Sequence, residues 1–111
     1  MANTFKNASL ANVNHSGLAT LYTCPASTTA IVLGLAITNK TAQAVTVKVQ
    51  MTDASDSNAT RMMLNDVSIP GNTTLEVLSG QKYVLEASDI LKIQAGTASS
   101  LDAVLGLMQI T

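Results

Sequence analysis

The chain has no tryptophan, one cysteine, one histidine and two prolines among its 111 residues. Charge is almost as scarce, since only 12% of residues are Asp, Glu, Lys or Arg, about half the usual share. Each shortage excludes something. The single Cys24 cannot close an internal disulfide, so the fold does not depend on an oxidising compartment. It reads as a small half-buried hydrophobe, because His15, the one candidate base, lies in a polar stretch. Six cations spread singly from Lys6 to Lys92 make no basic patch, so no nucleic-acid partner is expected.

Catalytic constellations are missing as well. There is no Cys/His cluster for zinc and no glycine fingerprint for phosphate. A serine triad would have to take His15 as its base. Asp53, Asp56, Asn58 and Asp66 gather oxygen ligands, but the glycine and closing glutamate of a calcium loop are absent, so they read as a solvated loop. The chain is therefore expected to be a non-enzyme without metal or cofactor. With Phe5, Tyr22 and Tyr83 as the whole aromatic inventory, a stacking platform for sugars is missing too. A carbohydrate-binding module for host attachment is the alternative from another functional class.

No basic segment followed by a long apolar run opens the chain, so no secretory signal is expected. The longest apolar stretch, residues 30–37, is far shorter than a membrane span. The sequence predicts a soluble protein made in the cytosol, and its five Asn-x-Ser/Thr sequons read as by-products of composition.

What is present is a 47% hydrophobic chain whose polarity comes from 14 Thr, 10 Ser and 8 Asn. Disorder is excluded by that balance. Scarce surface charge implies that a partner covers part of the surface. The dominant period is two, the signature of strands. Val45, Val47, Val49 and Met51 alternate with Thr46, Lys48, Gln50 and Thr52, one face buried and one polar. Residues 30–39 and 101–110 are instead apolar on both faces. In the first, Ile31, Leu33, Leu35 and Ile37 oppose Val32, Gly34 and Ala36; in the second, Leu101, Ala103, Leu105 and Leu107 oppose Val104, Gly106, Met108 and Ile110. Such strands are covered on both sides, and in so small a protein the second cover is another subunit or a chain arm.

Turn chemistry at Pro25, at residues 39–43 and 53–59, at Pro70-Gly71-Asn72, at Ser79-Gly80-Gln81 and at residues 94–100 divides the chain. The predicted strands are 18–23, 30–39, 44–52, 60–68, 73–78, 82–87, 90–95 and 101–110. Eight short strands call for an antiparallel β-sandwich of jelly-roll type, with an immunoglobulin-like sandwich as second choice. Residues 18–111 form this single domain. Residues 1–17, rich in Asn and Ser, stand apart, either as a frayed terminus or irregular edge strand or as an arm reaching a neighbouring subunit. Phe5 and Leu10 are its expected anchors. Candidate contacts on the domain are Val32, Ala36, Val104 and Met108. The adjacent Met62 and Met63 add one more, because neighbours on a strand point to opposite faces.

The run Tyr22-Thr-Cys-Pro-Ala26, leading into an apolar strand that ends at Asn39, resembles a pattern in small virion structural proteins of tailed bacteriophages. Ile69-Pro-Gly-Asn-Thr-Thr-Leu75, Leu85-Glu-Ala-Ser-Asp-Ile-Leu-Lys-Ile93 and Leu107-Met-Gln-Ile110 are similar to later motifs of that group. Ser88 replaces the glycine usual before the aspartate, so that turn need not keep its geometry, and Gln109 stands where an acidic residue is expected. The resemblance implies a virion structural role. It points first to a capsid decoration or cement protein, made in the host bacterial cytoplasm. Such a protein would be a homo-oligomer, a trimer favoured, bound to the major capsid protein or other virion proteins. A tail, neck or fibre component is the alternative within the virion.

Overall fold

The computed structural model describes residues 3–78 and 81–111. Met1 and Ala2 of the expected arm, and Ser79 and Gly80 of the expected turn, lie outside the described residues. Nine strands are found: β1 (Asn3–Leu10), β2 (Ala19–Thr23), β3 (Thr29–Asn39), β4 (Val45–Asp53), β5 (Ala59–Ile69), β6 (Thr74–Glu76), β7 (Tyr83–Leu85), β8 (Ile90–Ala95) and β9 (Leu101–Ile110). They form two antiparallel sheets. One runs β1-β9-β3-β6 with β7 also on β3, and the other runs β2-β8-β4-β5. First pairs with last, second with second-last and β4 with β5, so the chain is one long antiparallel ribbon wound into a jelly roll.

The count of eight survives in a different form. β6 and β7 both pair with β3, at Ala36–Thr38 and Ala30–Val32 respectively, and together fill a single edge position. The position this frees is taken by β1, which pairs residue for residue with β9 from Asn3↔Ile110 to Leu10↔Ala103. Residues 3–10 are thus an edge strand of the domain's own sheet. The boundary expected after residue 17 disappears, because Val13 is buried in the core and donates its N–H to the Leu101 carbonyl at 2.7 Å.

Between the sheets lie Leu35, Ile37, Val47, Val49, Leu85, Leu91, Ile93, Leu101, Leu105 and Leu107, all almost fully buried. Strict alternation places this core correctly in β4 and β9. It fails in β3, where Val32 opposes Leu107 but Gly34 opposes Gly106, leaving Leu33 as an extra residue. A bulge of this kind reverses which residues face inward. Ala30 and Val32 point into the core before it, Leu35 and Ile37 after it, and Leu33 is expelled to the surface. Val32, expected at an interface, is therefore a core residue.

Turns are held by side chains. Buried Asn39 donates to the carbonyls of Gln43 (2.8 Å) and Ile69 (2.9 Å) and accepts from the Thr41 N–H and hydroxyl, at 2.9 and 2.8 Å. Gly71 packs so closely on this turn that a Cβ would collide with the Ala42 carbonyl.

Candidate interaction surface

In antiparallel sheets directly opposed residues share a face, so the register fixes what each sheet shows to the outside. Across the larger sheet one outward row reads Phe5–Met108–Ile31–Val84. A second reads Ser9–Val104–Ala36–Glu76. Between them Asn7, Gly106 and Gly34 form a third. A Cβ added to either glycine would meet nothing within 4 Å, so this row is a furrow flanked by apolar side chains. Phe5 is 74% exposed and Val104 52%, and Leu33 joins them through its bulge. Among the outward strand positions of this sheet, only Asp102 and Glu76 carry charge. Asp102 is held by Lys40 at 3.0 Å, and Glu76 too has a partner.

The opposite face is polar. Thr20, Lys92, Gln50 and Met62 form one row, while Lys48 opposes Gln94 and Thr46 opposes Ser68. Lys48 pairs with Asp66. A hollow beside these strands is lined by His15, Thr46, Lys48, Asp66, Gln94, Ala95 and Gly96, with no aromatic side chain.

The expected contact residues are thus divided. Phe5, Ala36, Val104 and Met108 share the outer face of the larger sheet. Leu10 is inward on β1, opposite Ala103, and packs against the core, as does Met63. Met62 lies on the polar face, where the Gln50 amide reaches its sulfur at 3.8 Å. Ile31, Leu33, Val84 and Ile110 belong to the apolar face and were not singled out as contacts. The bulge at Leu33 and the interrupted edge that presents Val84 have no sequence signal of period two.

Chemistry-bearing residues are committed to structure. Asp53, Glu86 and Asp89 place carboxylate oxygens within 4.8 Å of one another. Asp89, buried, accepts from the backbone N–H groups of Ala54 and Glu86, both at 2.9 Å, and Asp53 accepts from the Ser55 hydroxyl at 2.7 Å. This is a clasp between two loops. Asp56 pairs instead with Arg61 at 3.6 Å. Cys24 is buried, its thiol directed at the carbonyls of Thr28 (3.3 Å) and Leu85 (3.6 Å). Burial raises the pKa of that thiol and, in the same way, of the Tyr22 hydroxyl. No helix among the described residues is long and apolar enough to cross a membrane.

No family model matches the chain, and comparison with curated proteins gives no match. Solved structures do match. A protein of the Bacillus endospore appendages, described as a novel family of disulfide-linked pili, superposes with a TM-score of 0.57 at 9% identity. That match covers 98% of this chain and 88% of the other. Two structures of infectious bursal disease virus follow: one of the Gx strain (TM-score 0.56, 12% identity) and one of the T13 particle (0.52, 9%). Each covers 96% of this chain, which spans about a third of the viral chains (32% and 30%). The likeness is one of fold. What they share is a two-sheet antiparallel sandwich, which in this chain has jelly-roll strand order.

Proposed function

We propose that this chain is a non-enzymatic structural protein of a virion, a capsid decoration or cement protein that oligomerises and stabilises the head shell. The carrying observation is the asymmetry of the two outer faces. One face of the jelly roll is laid out in apolar rows with a glycine furrow and two charges, both partnered, and the other is threonine, glutamine and lysine. Contiguous apolar surface of this kind is where soluble proteins meet partners. Phe5, Ala36, Val104 and Met108 form the contact, with Ile31, Leu33 and Val84 beside them, and the furrow over Gly34 and Gly106 receives a side chain from the shell. The jelly-roll fold and the resemblance of the Tyr22–Asn39 and Leu85–Ile93 motifs to small phage virion proteins support the same reading.

The mechanism is additive. One copy offers a modest apolar contact. Many copies across a closed lattice multiply that contact through avidity, so the shell resists expansion while each copy binds weakly. Cryo-electron microscopy of the particle tests the assignment. Density for this sandwich on the capsid surface, larger sheet facing the shell, is the expected result. Density confined to the tail, neck or fibre overturns the cement role, and absence from the particle overturns the virion role.

A further inference from the structure

The four sheet edges of the sandwich differ in a way that points to a second contact. β2 is five residues long and broken by a register shift between Thr20 and Tyr22. β5 is broken twice against β4, and carries Asp66 at φ 56° in one of the breaks. β6 and β7 are three residues each. Short strands, bulges and charges are the devices by which proteins keep sheet edges from pairing with other chains. β1 has none of the first two and only a single lysine. It runs for eight residues in unbroken register with β9, contains no proline, and among the described residues pairs with nothing on its far side. Its backbone N–H and C=O groups on that side form a template for another strand.

We infer that β1 pairs with β1 of a second copy, antiparallel about a two-fold axis at Phe5, so that the two larger sheets become one. A two-fold antiparallel pairing that keeps each face on its own side must oppose one residue to itself. An axis at Lys6 sets two ammonium groups against each other, which destabilises the pair. An axis at Asn7 sets Phe5 against Ser9. The axis at Phe5 opposes the two phenyl rings, puts Lys6 opposite Thr4 and Asn7 opposite Asn3, and keeps the lysines apart. Phe5 is the most exposed large hydrophobic residue among those described, and cross-strand aromatic pairs are among the stronger units of sheet stabilisation. The axis also runs the row Phe5–Met108–Ile31–Val84 of one copy straight into that of the other. The result is a doubled apolar face built by a two-fold contact in place of the threefold one that the resemblance implies.

Light scattering on the free full-length chain reads this without any particle, so it stands or falls separately from the virion assignment. The expected mass is that of two chains, falling by half in Phe5→Asp while far-UV circular dichroism stays put and the melting temperature falls to a value that no longer depends on protein concentration. Phe5→Cys, treated with a short bifunctional thiol reagent, should give a covalent dimer that the parent chain, with only buried Cys24, does not give. A parent mass of one chain or of three overturns the inference. So does a dimer that persists in Phe5→Asp or fails to cross-link at residue 5, because either places the contact elsewhere.

Discussion

Gly34 and Gly106 oppose one another on β3 and β9, and neither would find a neighbour for a Cβ within 4 Å. Glycine in a strand weakens it unless something approaches closely. In the proposed role that approach comes from the shell. Gly106→Val adds a β-branched side chain that suits a strand and meets empty space, so stability should hold or rise by up to about 1 kcal/mol. Association with the particle should fall at least about tenfold, because the furrow is filled. Urea denaturation paired with a pelleting assay on particles checks both halves. A variant that docks normally would remove the furrow from the contact.

Ser88 stands where the motif that the sequence resembles has glycine, and its φ is 72°, the left-handed conformation that glycine favours. The turn therefore keeps the glycine geometry at a cost in strain, and aims the Asp89 carboxylate at the Ala54 and Glu86 N–H groups. Ser88→Gly should raise stability by about 0.5–1 kcal/mol, the relieved strain exceeding the added chain entropy. Ser88→Val should lower it by more than about 1 kcal/mol. Equilibrium unfolding in urea distinguishes these signs.

Buried Asn39 ties the 39–43 turn to Ile69 through its side-chain hydrogen bonds. Asn39→Leu fits an apolar site but leaves the carbonyls of Gln43 and Ile69 and the Thr41 N–H without it. A loss of about 3 kcal/mol is expected, measured by thermal and urea unfolding, since stranded buried groups cost more than a hydrogen bond yields.

The period-two pattern made β4 and β9 legible because each is regular from end to end, with Val45, Val47 and Val49, and then Leu101 to Leu107, all buried in step. The jelly roll followed from the spacing of such strands. Three features are missed or left open for one physical reason, that register and edges are tertiary. Leu33 is an ordinary leucine in an apolar run, and only its opposition to the Leu107/Gly106 step makes it a bulge. β1, rich in Asn and Ser and with its partner about a hundred residues away, is open in the sequence to a frayed terminus, an irregular edge strand or an arm, and the structure makes it an edge strand. β6 and β7 each read as full strands, although both share β3. The same bulge explains the contact face: Ala36, Val104 and Met108 were readable as outward, whereas Val32 had to be exchanged for Ile31.

Acid should loosen the join between the start of the chain and β9. The Asn12 N–H donates to the Asp102 carboxylate at 2.9 Å, and with Lys40 beside it this holds the Asp102 pKa below the ordinary carboxylate value. A depressed carboxylate contributes stability above its unfolded pKa, near 3.9, and loses it as pH falls through the lower folded value. Asp102 is partly exposed, so the contribution is small. Asp102→Asn should flatten the acid limb of the stability–pH curve below about pH 4, with the neutral-pH value slightly reduced. An unchanged acid limb would exclude this group.

The most direct test of which face docks is oxidative footprinting of Met62 and Met108, read by mass spectrometry on free and particle-bound protein. Met62 is 42% exposed on the polar face, and Met108 sits partly exposed in the apolar row beside Phe5. Both should oxidise in the free chain, Met62 the faster. On the particle, Met108 should become protected while Met62 reacts as before. Protection of Met62 with Met108 left reactive would contradict docking through the larger sheet.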